Sequence, residues 1–121
     1  MQNKRIVITG GPGTGKSSVI SNLESKGHYC FHEISRQITL EAQKQGIDQL
    51  FLNNPLLFSE KLLEARIKQH QNAQEPSGKL VFLDRGIPDV VAYMDYFGIT
   101  YPSKFRDACK DYKYNHIFLM P

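Results

Sequence analysis

The sequence predicts an α/β domain of three layers, a parallel sheet with helices on both faces, and three observations carry that expectation. Strand-like and helix-like periodicities alternate along the chain, as they do in successive βαβ units. The run 79-KLVFLD-84 is apolar on both of its alternating faces, which is the pattern of a strand buried inside a parallel sheet. A glycine-rich turn, 10-GGPGTGKS-17, joins a β-branched run directly to a helical one. With 121 residues, 40% of them hydrophobic and 22% charged, the chain is expected to form a single domain, 1–121, with a core that needs no staple.

The elements follow in order. Residues 5–9 (RIVIT) form a short strand, because Ile6, Val7 and Ile8 are β-branched. After the turn, KSSVISNLES puts Val19, Ile20 and Leu23 on one helical face, and Gly27 stops that helix. HYCFH (28–32) reads as the second strand. Ile34, Ile38 and Ala42, spaced by four, then mark a helix that Gly46 ends. The longest helix lies in FLNNPLLFSEKLLEARIKQHQNAQ, with Asn54 as its cap, Pro55 at its first position and Leu56, Leu63 and Ile67 on one stripe. Lys61, Arg66 and Lys68 are expected on its solvated face. The third strand is 79–84, Pro88 opens a helix to about Tyr96, a short helix covers 103–111, and 114–121 (YNHIFLMP) is the fourth strand. Tyr93, Tyr96, Phe97 and Tyr101 are expected to pack.

Composition narrows the partners. A net charge of +3 suits a small acidic ligand, but no Lys/Arg run marks a nucleic-acid surface. Cys30 and Cys109 lack the spacing of a zinc site or disulfide framework, and His28, His32, His70 and His116 lack metal-ligand spacing. No apolar run is long enough for a signal segment or a membrane span, so a cytoplasmic location with no membrane partner is expected. Nothing bears on oligomeric state.

Gly10-x-x-x-x-Gly15-Lys16-Ser17 matches the phosphate-loop pattern G-x-x-x-x-G-K-[ST] in full, between a strand and a helix as its mechanism requires. Composition alone would produce such a match in roughly 0.4% of chains this long. Gly10, Gly11, Pro12, Gly13, Thr14, Gly15, Lys16, Ser17 and Ser18 would cradle a nucleotide's phosphates in backbone N–H groups, aided by the positive end of the following helix. Lys16 would reach the β- and γ-phosphates, and the Ser17 hydroxyl would ligate Mg²⁺. ATP and Mg²⁺ are therefore the expected cofactors.

A second half of the site is expected beyond the strand ends. Asp84 closes the third strand and suits Mg²⁺, or alternatively forms the turn before Gly86. Arg85 offers its fork to a substrate phosphate, or pairs with Asp89 or Glu33. Glu33 follows the second strand and is a candidate base for an acceptor hydroxyl, or an acid in the first turn of the next helix. Arg36, one turn on, faces either the crevice or solvent. Lys16, Glu33 and Asp84 form the candidate catalytic set.

GGPGTGKSS, HEISRQI after the second strand and VFLDRGIPDVVAYMDYFG together resemble the AAA-like ATPase/kinase domain family of bacterial proteins, a relative of the ribosylnicotinamide kinase domain and of thymidylate and deoxynucleoside kinases. The resemblance spans essentially the whole chain. It implies nucleotide and Mg²⁺ binding at Gly10 to Ser18, Asp84 near the metal, and substrate-side roles for Glu33, Arg36 and Arg85. It also implies a phosphate-loop NTPase sheet of five strands in order 2-3-1-4-5, of which this sequence supplies four; the fifth strand and an arginine-bearing lid are not matched, as in a piece of a longer chain. Transfer of a phosphoryl group to a small hydroxyl- or phosphate-bearing acceptor, nucleoside- or nucleotide-like, is the leading reading. An ATPase that drives a partner and a non-catalytic nucleotide-binding module stay open beside it.

Overall fold

The structure is a computed structural model and describes residues 4–11, 15–73 and 80–120. Its elements are β1 (Lys4–Thr9), α1 (Lys16–Ser25), β2 (Tyr29–Phe31), α2 (Ser35–Lys44), α3 (Leu50–Asn53), α4 (Pro55–Asn72), β3 (Leu80–Asp84), α5 (Ile87–Tyr96), α6 (Lys104–Asp111) and β4 (His116–Leu119). All four strands are parallel, in the order β2-β3-β1-β4. That is the expected order as far as its fourth strand.

A parallel sheet needs a crossover after each strand, so every strand ends at the same edge. Register places Ile8 beside Asp84 and Thr9 beside Leu119. The segments that follow β1, β2 and β3 therefore emerge together, where ligands bind in open α/β sheets.

Alternation along the central strands divides the core. Ile6, Ile8 and Phe82 face α1 through Ile20, while Val7, Val81 and Leu83 turn to the opposite side with Ala73. This two-sided burial explains the apolar run of β3. The largest cluster fills the space among α2 to α6, centred on Leu50, Phe58, Leu62, Ile87, Met94 and Phe105.

Two expectations need correction. Arg66 is not on a solvated face: it is only 3% exposed, although Lys61 and Lys68 are exposed as anticipated. Tyr96 and Phe97 do not pack into the core but stand at the surface of the last turn of α5, 84% and 61% exposed. The start of α4 is as expected, with Asn54 Oδ1 accepting the Leu57 N–H at 3.2 Å and Pro55 first in the helix, and the residues just before it form a separate short helix, α3. β4 pairs with β1, and its Ile117, Phe118 and Leu119 are exposed. No helix among the described residues is long and apolar enough to cross a membrane.

Phe105 joins α6 to this core with no exposed surface. Phe105→Ala should cost about 3–5 kcal/mol, the usual range for emptying a fully buried aromatic site, and the urea midpoint should fall accordingly.

Candidate functional site

The end of β1 leads into the glycine-rich turn, and Gly15 caps α1 with φ 83°, a left-handed conformation that glycine adopts without a Cβ clash. Ser17 and Ser18 lie exposed in the first turn of α1, where unpaired N–H groups and the helix dipole favour an anion. Pro12, Gly13 and Thr14, the middle of the expected cradle, lie outside the described residues. Lys16 crosses from α1 to β3 and forms an ion pair with Asp84 Oδ1, the two side chains being 10% and 5% exposed. The expected phosphate lysine and the expected metal carboxylate are thus in contact.

The turn after Asp84 is tightly determined. Arg85 has φ 68°, unusual for a residue with a side chain, and its N–H donates to the Ile8 carbonyl at 2.9 Å. Its Nη2 donates to the Gly10 carbonyl at 3.0 Å, and its Nε lies 3.4 Å from Glu33 Oε2. Arg85 therefore ties the phosphate loop to the β2–α2 connection. Gly86 fits against Val7 and the Tyr114 ring; an added Cβ would sit 3.0 Å from each. Asp89 closes the first turn of α5, its Oδ2 accepting the Gly86 N–H at 2.7 Å and its Oδ1 accepting from the Thr9 hydroxyl. The Tyr114 hydroxyl accepts the Ile87 N–H at 3.1 Å.

Glu33 stands where the sequence placed it, at the end of β2, but most of its hydrogen-bonding capacity is committed. Its Oε1 accepts the Ile34 N–H at 2.9 Å, the Ser35 N–H at 3.0 Å and Arg66 Nη2 at 3.0 Å. Burial alone would raise its pKa, but Arg66, Arg85 and the two N–H groups together outweigh burial and hold the carboxyl below its ordinary value. A carboxylate so held is a poor proton acceptor and a good anchor for α2. Arg66 completes the link, with Nη1 donating to the Gly86 carbonyl at 2.8 Å and lying 3.9 Å from Asp89 Oδ2. The sequence held a signal for it: Phe58, Leu62, Arg66 and His70 follow at intervals of four, and all four are buried.

Beside these loops lies a cavity of about 290 Å³, with Phe51, Phe58 and Tyr93 on its walls and Arg36, Arg85 and Asp89 among its polar groups. Arg36 faces this cavity and is exposed, and among the described residues its side chain makes no hydrogen bond or ion pair. Glu33 does not line it. A larger groove of about 650 Å³ runs between α2 and α4, but no described residue of the phosphate loop or of 84-DRG-86 borders it. The described residues contain no cluster of His, Cys, Asp and Glu able to hold a metal by itself, and both cysteines are free.

Two outcomes follow from this geometry. Glu33→Gln would take the nearer counter-charge from buried Arg66 and leave Asp89 at 3.9 Å, at a cost of about 3 kcal/mol, the lower end for a broken buried pair because Glu33 is partly exposed and Asp89 remains. Since folding lowers the Glu33 pKa, its contribution is complete above the ordinary carboxylate pKa of about 4.3 and is lost as pH falls through the folded value; Glu33→Gln should flatten that part of a stability–pH profile. Gly86→Ala should cost about 1–3 kcal/mol, because Val7 and Tyr114 must move to admit the methyl group, and thermal melts would measure it.

Among solved structures, the chain is similar to a deoxyadenosine kinase from M. mycoides determined with products dCMP and a flexible dCDP bound. The identity is 18% and the TM-score 0.69, over 96% of this chain and 63% of that one. It is also similar to thymidylate kinase from Ehrlichia chaffeensis, at 19% identity and TM-score 0.64, over the whole of this chain and 72% of that one. This chain thus spans under two thirds of the first kinase's length. No curated protein matches it. The fold is that of phosphate-loop NTPases and nucleotide kinases, and the AAA domain family matches residues 5–121, so the chain belongs to that family.

Proposed function

We propose that this chain binds Mg²⁺ATP and transfers its terminal phosphoryl group to a small acceptor held in the cavity between α2, α4 and α5. The observation that carries the reading is adjacency. The loop ending in Gly15, Lys16 and Ser17 and the arginine- and aromatic-lined cavity open at the same edge of the sheet, with Arg85 touching both.

Lys16, once drawn from Asp84 to the nucleotide, supplies a mobile positive charge to the β- and γ-phosphates. Asp84 and Ser17 would fit Mg²⁺ as donors, a carboxylate at the end of β3 and an exposed hydroxyl in the first turn of α1, and the ion would supply positive charge to the phosphates. Arg85 and Arg36 orient the acceptor side, while Arg66 and Glu33 hold the two loops at a fixed distance.

Lys16→Ala should weaken ATP binding by ~10- to 100-fold, the value of one charge-assisted hydrogen bond to phosphate, as measured by calorimetry on a variant shown to melt cooperatively. Unchanged affinity would remove the phosphate-loop assignment. ADP release that depends on an added acceptor supports transfer; release that ignores acceptors would instead mark an ATPase.

A further inference from the structure

We propose that His70 is a positioning residue of the candidate site: its neutral imidazole latches residues 112–114 onto α4, and uptake of a proton there releases Tyr114 from the 84–87 turn. The latch concerns the conformation of that turn; its consequence for nucleotide binding rests on the phosphate-loop reading above.

His70 lies one turn beyond Arg66 on the buried stripe of α4 and is 7% exposed. Its Nε2 lies 2.7 Å from the Lys113 carbonyl oxygen. A carbonyl only accepts, so Nε2 carries the hydrogen and Nδ1 of the neutral ring keeps a lone pair. That Nδ1 is buried and has no hydrogen-bond partner among the described residues. The Tyr112 and Tyr114 rings stand nearly perpendicular to the imidazole, at 5.4 and 5.1 Å between centroids. Three consecutive residues therefore meet one side chain.

The charged and titratable neighbours disfavour a cation there. Arg5 of β1 donates from Nε to the His70 carbonyl at 2.9 Å, and its own Nη2 is buried without a partner among the described residues. Tyr112 and Tyr114 come from the connection between α6 and β4, and the end of α6, with Cys109 and Asp111, makes no hydrogen bond or ion pair with the ring. Among the described residues the one histidine–carboxylate pair is His32 with Glu24, so no acid answers His70. Burial pushes the imidazole below its ordinary pKa; the bond to Lys113 works against that shift and Arg5 works with it. A protonated ring would have to hold a charge and a second N–H where neither has a partner.

The path from this ring to the site is short. The Tyr114 hydroxyl accepts the Ile87 N–H at 3.1 Å, and its ring stands where a Cβ on Gly86 would meet it at 3.0 Å. The same turn carries Arg85, whose Nη2 reaches the Gly10 carbonyl at the start of the phosphate loop. Protonation drives the imidazole toward water, breaks the Lys113 bond and takes Tyr114 from Ile87. Because opening takes up one proton, the open population rises by up to ~10-fold for each pH unit below the ordinary histidine pKa of about 6.5, until the lower folded value is reached. Above about 6.5 the latch is closed.

NMR on the full chain from about pH 7.5 to about 5.5, above the range in which Glu33 titrates, tests this. The His70 ring signals should show the Nε2–H tautomer and a pKa below about 6.5. Amide exchange, corrected for its intrinsic pH dependence, should show protection at Ile87 falling by up to ~10-fold per pH unit while Leu83 in β3 keeps its own. His70→Gln, whose amide can donate to the same carbonyl and never charges, should keep Ile87 protection flat; should that variant not fold, the ring titration and Ile87 exchange of the unsubstituted chain decide. Calorimetry should find ATP affinity falling more steeply with acidification in the unsubstituted chain than in His70→Gln, the titration of ATP itself being common to both. A His70 pKa at or above the ordinary value, Ile87 protection that ignores pH, an equal loss at Leu83, or the same loss in His70→Gln each overturns the latch. ATP affinity that follows one course in both chains overturns its link to the phosphate loop. Absence of ATP binding at any pH removes the phosphate-loop reading, while the ring and amide signals still decide the latch.

Discussion

The Arg66 guanidinium is the constraint on which the rest of the site depends. Burying a guanidinium is costly, and the cost is offset only when its donors and charge are answered at short range. Here Glu33 answers from the β2–α2 connection and Gly86 from the β3–α5 turn, at 3.0 and 2.8 Å. One side chain of α4 thereby fixes the separation of two turns, one leading into α2 with Arg36 and the other carrying Arg85 and leading into α5 with Asp89, all three at the cavity. Lysine could not replace it, since a single ammonium lacks the fork that reaches both partners.

Charge at the phosphate loop is balanced before any nucleotide arrives. Lys16 and Asp84 neutralise each other in a spot almost closed to water, where the pair interacts more strongly than it would in solvent. An incoming phosphate must compete with Asp84 for Lys16, and the carboxylate it displaces is then an uncompensated buried anion unless a cation joins it. In the function proposed above, the arrangement would couple anion binding by Lys16 to cation binding by Asp84 through simple electrostatics.

The regular parts of this architecture were legible because they rest on local periodicity. The bounds of α1 follow from the turn glycines and the 19–20–23 face, and the alternation in KLVFLD predicted a strand covered on both sides, as β3 is. The first four positions of the sheet order came with the resemblance. What stayed hidden depends on partners distant in sequence. Glu33 and Arg66 are separated by 33 positions, so neither residue's spacing announces the pair. The polar character of Arg66 argued for solvent and its place on the Phe58–Leu62–His70 stripe argued for burial; periodicity was the better guide. Tyr96 and Phe97 failed the opposite way, since hydrophobic identity at a helix's last turn says little about which face has a neighbour.

Rigidity is unevenly shared between Arg85 and Arg36, which line the cavity together with Arg66. Arg85 is held by its own N–H on Ile8, by its side chain on Gly10, and by a left-handed backbone between Asp84 and a Gly86 that has no room to shift. Tyr114, leading into β4, clamps the same turn through the Ile87 N–H, so the far edge strand helps to set the position of Arg85. Among the described residues Arg36 has no such fixation, and it projects from the first turn of α2 on a long side chain. A fixed guanidinium can define where a transferred group must lie, whereas a mobile one can follow an acceptor as it enters. Under the transfer proposed above, selection among acceptors would fall to Arg36 and the aromatic wall, and alignment would fall to Arg85.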